Sequence, residues 1–258
     1  MTPYVLTVDI GNTNTHVGLI KCASRSILSL DIIPTSDIDT SLVPTVCSAA
    51  TSIQQTAPVP VVLCSVIQSA KQQFNNELTA ALQSPVVWLG NNKQLPLHIP
   101  YENPDALGAD RIADMIYAHC AYPDENVIIV DAGTTITIDY LHHGATFRGG
   151  AILPGPSTQL KSLHAHTDQL PELDFSNPDS EFPGRSTAAC IHGGVRYGTA
   201  GAVSLIVDQY RLLDSDPCQV IATGGAWPYL KHIVSFEARH IPEMTMAGCA
   251  LYYTLLHP

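Results

Sequence analysis

The chain has 258 residues, 45% of them hydrophobic and 14% charged, a composition that belongs to an ordered globular protein and excludes a disordered or low-complexity one. Twelve Lys and Arg against 23 Asp and Glu leave a net charge of −11, a field that repels nucleic acid and anionic membrane surfaces. If such a protein handles phosphate, it must hold the anion with backbone N–H groups, a few selected side chains and metal ions.

In chain order, residues 4–9 form a short apolar, β-branched run that stops at Gly11-Asn12-Thr13 and resumes over residues 15–20, which reads as strand, tight turn, strand. The first 21 residues carry no early basic cluster and place Asp9 inside the apolar stretch, so no secretory signal is expected. No apolar run reaches the roughly 18 residues of a membrane span, and a cytoplasmic protein is expected. Residues 60–66 read as a buried strand, 70–82 as a helix and 85–88 as another strand. A hinge is expected near Tyr122-Pro-Asp-Glu125, dividing the chain into domains 1–121 and 122–258.

Beyond the hinge, residues 126–131 stop at Ala132-Gly133-Thr134 and resume over 135–140, repeating the opening device. A third strand is predicted over 145–153, then a Pro/Gly turn at Pro154-Gly155-Pro156, a polar acidic loop over 171–183 and a long helix over 186–213. A last strand over 218–222 ends at Thr223-Gly224-Gly225, and a helix over 243–256 closes the chain. Strands alternating with helices make this an α/β protein. Val8 to Thr15 matches Val130 to Thr137 at Val, Asp, Gly and the final Thr with an offset of 122 residues. That spacing is too long for a solenoid and fits a duplicated domain.

The turns carry the chemistry. Gly11 lets successive N–H groups point at a phosphate, Asn12, Thr13 and Thr15 add neutral donors, and Asp9 at a strand end can hold Mg²⁺ directly or through water. A plain hairpin with an Asx turn is the alternative. Asp131-Ala-Gly-Thr-Thr135 repeats the argument, and two such turns facing each other clamp a polyphosphate. Thr223-Gly224-Gly225 is either a third nucleotide contact or a simple strand-to-helix turn. In the stretch from Tyr101 to Ala113, Asp110 can accept a proton or orient a hydroxyl while Arg111 takes an anion bidentately. A helix start with a surface ion pair reads the same residues. The seven cysteines have no CxxC spacing and are expected to be reduced and mostly buried. His142-His143 and His164-Ala-His166 lack a clear third ligand and are expected to be surface or loop histidines.

The runs D-I-G-N-T-N-T-x-x-G at 9–18, Y-E-N-P at 101–104, G-A-D-R at 108–111 and D-A-G-T at 131–134 occur in order, joined by G-G-A-I-L-P-G at 149–155, G-R-S-T at 184–187 and T-G-G at 223–225. Together they resemble the type III pantothenate kinase family over residues 4–253. The resemblance implies two duplicated actin/ASKHA-like (RNase H-like) α/β domains with a cleft between them, active as a homodimer. It implies ATP with Mg²⁺, the phosphates lying on Asp9, Ile10, Gly11, Asn12, Thr13, Asn14, Thr15 and His16 with a contact from Thr134. Asp131 would hold a monovalent cation, K⁺ or NH₄⁺. Pantothenate would contact Tyr101, Gly108, Ala109, Asp110, Arg111 and Thr187, with Asp110 as proton acceptor. Ser186 departs from the Asn usual in the G-K/R-N-T motif, which puts the local turn in doubt but not the Thr187 hydroxyl. Rival readings are a kinase of the same superfamily with another small acceptor and a non-catalytic accessory protein of this fold. Intact Asp9, Asp110, Arg111 and Asp131 speak against the second.

Overall fold

The computed structural model describes residues 3–24, 26–53, 58–67, 70–90, 94–103, 106–175 and 181–257, with the backbone alone for 70–72. Pro104 of the Y-E-N-P run and residues 176–180 of the expected acidic loop lie outside the described residues. The chain divides into two compact units, Met1–Pro123 with Glu243–Pro258, and Asp124–Pro242.

In the first unit, strands β1 (Tyr4–Ile10), β2 (Asn14–Lys21), β3 (Ser26–Pro34), β4 (Val61–Ser65) and β5 (Val86–Trp88) form one sheet in the order β3-β2-β1-β4-β5. The first three are an antiparallel meander, and β4 runs parallel to both β1 and β5. β1 and β4 are buried on both faces, which is why they read as nearly unbroken apolar runs. On one face Leu6, Val8, Ile10 and Leu63 pack with Leu42 and Val46 of α1 (Ile38–Thr51) and with Phe74 and Leu78 of α2 (Ala70–Leu82). Strand alternation puts Thr7, Asp9 and Cys64 on the opposite face, where α3 (Ala109–Ala121) packs against β4. Between Asp31 and Pro60 lie the end of β3, a single 3₁₀ turn at Thr35–Asp37 and all of α1.

The second unit contains β6 (Asn126–Ala132), β7 (Thr135–His142), β8 (Thr146–Pro154), α4 (Pro156–Ala165), α5 (Thr187–Arg211), β9 (Cys218–Thr223), α6 (Trp227–Leu230) and β10 (Arg239–His240). Its sheet order is β10-β9-β6-β7-β8, the first unit's order with the same strand directions. Ile128, Val130, Ile136, Ile138 and Tyr140 form its core with Val203 and Val207 of α5 and with Trp227 and Leu230 of α6. The duplication therefore extends to the whole sheet. The residue match needs one correction. Asp9 pairs with His16 and Ile10 with Thr15, whereas Asp131 pairs with Thr137 and Ala132 with Ile136. The first turn is one residue longer, so Thr15 corresponds to Ile136 and its apparent match with Thr137 is a coincidence of the ungapped comparison.

α7 (Met244–Leu256) belongs to the first unit, not to the second as a division into 1–121 and 122–258 would have it. The helix buries Met244, Met246, Cys249 and Tyr252 and so needs cover on most of its sides. It finds that cover on α3 and the first sheet. Thr245 Oγ1 donates to Asp114 Oδ1 at 2.8 Å, and the Tyr252 hydroxyl donates to the Trp88 carbonyl at 3.3 Å. A hydrogen bond to a buried carboxylate contributes about 1.5–3 kcal/mol, and Asp114 is 2% exposed. Among the described residues no helix is long and apolar enough to cross a membrane.

Candidate active site

The turn between β1 and β2 closes when the Gly11 N–H donates to the Asn14 carbonyl at 3.1 Å, leaving Asn12, Thr13 and Asn14 exposed. The two residues that flank it point elsewhere. Ile10 is fully buried, so only its backbone can meet a ligand, and the Thr15 side chain is buried with its hydroxyl 3.1 Å from Thr35 Oγ1. Thr35 Oγ1 donates to the Gly11 carbonyl at 2.9 Å, and the Thr35 N–H donates to the Thr13 carbonyl at 2.9 Å. Sequence reasoning missed Thr35, since no motif includes it.

Asp9 ends β1 on the face that α3 covers. Burial, then the charge of Asp110, push its carboxyl from 3.8 up to about 7, and a hydrogen bond from the Cys64 thiol pulls weakly the other way. His16 Nδ1 lies 3.9 Å from Asp9 Oδ2, and burial lowers the imidazole pKa, so the ring is neutral near pH 7. Cys64 stays protonated, because its hydrogen bond with Cys249, burial and the two nearby carboxylates hold it well above the ordinary thiol value. Asp110 stands in the first turn of α3 with Oδ1 accepting from the Arg111 N–H at 2.8 Å. Burial raises its pKa, and Arg111 opposes the shift through that hydrogen bond and its charge. A Cβ on Gly108 would fall 2.3 Å from Asp110 Oδ1, so the carboxylate folds over the glycine. The first unit thus brings Asp9, His16, Cys64, Asp110 and Arg111 together. Arg111 is only 6% exposed, which removes the surface ion-pair reading of this segment. Tyr101, Gly108 and Ala109 are half-buried nearby in the chain.

In the second unit the Gly133 N–H donates to the Thr135 carbonyl at 2.9 Å, and Thr134 and Thr135 are exposed. The Thr134 carbonyl accepts from the Gly155 N–H at 2.9 Å and from Thr158 Oγ1 at 2.6 Å. Asp131 ends β6 beside the turn after β9, where Gly224 has φ +89°. A Cβ there would meet the Ala132 carbonyl oxygen at 2.4 Å and Asp131 Oδ1 at 2.5 Å, so the site needs glycine and gathers two oxygens on its face. Thr187 is exposed at the start of α5. The departure at Ser186 is a working N-cap, its hydroxyl accepting from the Ala189 N–H at 3.2 Å, and Ser and Asn cap about equally well.

The remaining candidates are structural. His142 and His143 lie 3.7 and 3.9 Å from Asp214 and Asp216, and His164 Nδ1 is 2.8 Å from the Leu170 carbonyl. Among the described residues no group of three or more His, Cys, Asp and Glu is placed to hold a metal ion. The seven cysteines form no disulfide, as reduced thiols would not, but only Cys64 and Cys249 are fully buried.

Residues 5–209 match the sequence profile of the type III pantothenate kinases. The chain belongs to that family. A type III pantothenate kinase from Chlorobaculum tepidum is 31% identical over 228 residues, covering 86% of this chain and 83% of that protein. Among solved structures, a Baf family protein from Campylobacter jejuni is 19% identical with a TM-score of 0.59, covering 98% and 97% of the two chains. A ROK family glucokinase from Streptomyces griseus, solved with glucose and AMPPNP, is 12% identical with a TM-score of 0.56 over 96% and 98%. At these identities the structural likeness shows the fold alone, the actin-like pair of α/β domains.

A kinase of this family uses ATP with a divalent metal. Mg²⁺ is commonly held by one or two carboxylates together with phosphate oxygens and water, not by an all-protein cage. Asp9 fits that pattern as a carboxylate at a strand end, pushed toward its neutral form by burial and by Asp110, whose ionised form a cation would restore. Asp131 and the Ala132 carbonyl, which also accepts from the Ala226 N–H at 2.8 Å, put two hard oxygens on one side of Gly224.

Proposed function

We propose that this kinase transfers the γ-phosphate of ATP to the primary hydroxyl of pantothenate, giving 4'-phosphopantothenate, with Asp110 as proton acceptor. The observation that carries the reading is the Asp9–Asp110 pair, a phosphate turn's half-buried carboxylate set within electrostatic reach of a second one at a helix start. The turn from Asp9 to His16 takes the ATP phosphates through backbone N–H groups and through Asn12, Thr13 and Asn14, while Thr134 supplies a further contact. Ile10 contributes its backbone only, and Thr15 acts through Thr35. Asp9 would hold Mg²⁺, which would supply charge neutralisation at the phosphates, and Asp131 would hold K⁺ or NH₄⁺, which would supply fixed positive charge.

Phosphoryl transfer passes through a loose transition state, so positioning and charge neutralisation supply most of the acceleration and no strong base is needed. Asp110 orients the pantothenate hydroxyl and takes its proton late. Its raised pKa makes it a better acceptor than an exposed carboxylate, and the Arg111 N–H fixes the direction of Oδ1. The Arg111 guanidinium receives an anionic part of the substrate. Tyr101, Gly108, Ala109 and Thr187 complete the pantothenate contacts. The chain works as a cytoplasmic homodimer, and a solution mass of twice 27.7 kDa by light scattering is the expected result.

The test is ATP-dependent phosphorylation of pantothenate by the purified protein with Mg²⁺, run with K⁺ or NH₄⁺ and again with Na⁺ alone. Product with K⁺ or NH₄⁺ and little with Na⁺ is expected. No product under any cation, from folded protein that binds ATP, overturns the pantothenate reading.

A further inference from the structure

Thr35 lies outside every motif that relates this chain to its family, yet it makes three hydrogen bonds around the first phosphate turn. Its hydroxyl has one proton, and that proton goes to the Gly11 carbonyl at 2.9 Å, so at the 3.1 Å contact the buried Thr15 hydroxyl is the donor and Thr35 Oγ1 the acceptor. The relay runs Thr15 to Thr35 to Gly11. The Thr35 N–H separately holds the Thr13 carbonyl at 2.9 Å.

These bonds have a geometric consequence. In a planar trans peptide the C=O of one residue and the N–H of the next point in opposite directions. Drawing the carbonyls of Gly11 and Thr13 onto Thr35 therefore turns the N–H groups of Asn12 and Asn14 to the side away from Thr35. Both residues are exposed, and an anion meets the turn there. Without the hydroxyl, the Gly11–Asn12 peptide loses its anchor and is free to rotate, and glycine offers little resistance to that rotation.

The backbone half of this brace recurs in the second unit, which is an independent observation. Asn14 pairs with Pro34, and Thr135 with Pro154. Thr35 and Gly155 each follow that proline, and each donates its N–H to the carbonyl of the residue before the paired one, Thr13 or Thr134. A threonine hydroxyl adds a bond in both cases but to different places, Thr35 to the glycine carbonyl of the turn and Thr158 to the Thr134 carbonyl that the Gly155 N–H already holds, so anchoring of the glycine peptide is particular to the first turn. Sequence does not align the two threonines, since one directly follows the strand and the other lies in the first turn of a helix.

We infer that Thr35 is a positioning residue for ATP, its hydroxyl orienting the Asn12 N–H toward the phosphates. The inference rests on the reading of residues 9–16 as the phosphate site. It is tested with full-length Thr35→Val, which keeps shape and N–H but lacks the hydroxyl, and Thr35→Ser, which keeps both bonds. Mg-ATP affinity is measured directly by calorimetry, alongside KM for ATP, KM for pantothenate and Tm. In Thr35→Val the Kd and KM for ATP rise roughly tenfold, KM for pantothenate stays within about twofold and Tm falls by roughly 2–8 °C because the buried Thr15 hydroxyl loses its acceptor, while Thr35→Ser restores ATP binding and Tm. If Thr35→Val does not fold, Thr35→Ala is measured in its place with the same expectation. Wild-type ATP affinity in a folded hydroxyl-free variant overturns the positioning role while leaving the phosphate turn intact. Equal losses for ATP and pantothenate overturn it in favour of a general structural role. Wild-type protein that binds no Mg-ATP overturns the phosphate-site reading and this inference with it.

Discussion

Each unit ends its first strand with aspartate, one intervening residue and a glycine turn, but the two aspartates meet different neighbours. Asp9 faces a thiol and a second carboxylate, and burial with Asp110 lifts its pKa to about 7. Asp131 backs instead onto the glycine turn after β9, next to the Ala132 carbonyl. The turns differ as well, the first being one residue longer. Duplication conserved the strand order and the braced turn while the packing around each aspartate came to differ. In the reading argued above, the Asp9 site serves the reacting end of ATP and the Asp131 site a supporting cation.

The contrast is sharpened most by Asp110→Asn, which removes the carboxylate that distinguishes the first site. Turnover should fall roughly 10²- to 10⁴-fold with Mg-ATP binding and Tm retained, and unchanged kcat would remove Asp110 from the reaction. Arg111→Lys should raise KM for pantothenate about tenfold, because a lysine loses the bidentate fork while keeping the charge. An effect on Tm alone would make Arg111 a packing residue.

The pH dependence of stability tests the environment of Asp9 without any assay. In the metal- and nucleotide-free protein Asp9 keeps its proton up to about pH 7, whereas in the unfolded chain it loses it near 3.8. The folded state thus binds more protons between these values, so the contribution of Asp9 is fully present below pH 3.8 and is lost as pH rises through about 7. Asp9→Asn should therefore raise the apo Tm at pH 8 by about 2–8 °C and flatten the Tm profile between pH 5 and 8. An unchanged profile would contradict the burial of this carboxyl. The smallest expected effect is that of Thr158→Val, a roughly two- to threefold rise in KM for ATP. The Thr134 carbonyl keeps the Gly155 N–H when that hydroxyl is lost, and a larger effect than that of Thr35→Val would reverse the ranking of the two braces.

Much of this was legible in the sequence, because β1, β6 and β9 are apolar runs that break at glycine turns, β4 is a further apolar run, and Asp9 and Asp131 sit at two of those breaks. Less visible were α1, which carries Pro44 in its interior, and β3, an edge strand with Leu28, Leu30 and Ile32 exposed. The place of α7 in the first unit was hidden because chain order says nothing about which sheet an apolar helix will cover. The orientation of Thr15 was also hidden. A threonine beside a phosphate turn reads as a ligand donor until Thr35, from a distant segment, claims its hydroxyl.

The division of labour between the aspartates is tested most directly by titrating pantothenate phosphorylation against Mg²⁺ and against K⁺ in Asp9→Asn and Asp131→Asn. Asp9→Asn should weaken the apparent Mg²⁺ affinity by about 10²-fold and leave the K⁺ response unchanged, and Asp131→Asn should abolish the advantage of K⁺ over Na⁺ with the Mg²⁺ response intact. Variants that shift the same cation, or Asp131→Asn that still responds to K⁺ like the wild type, would contradict the account.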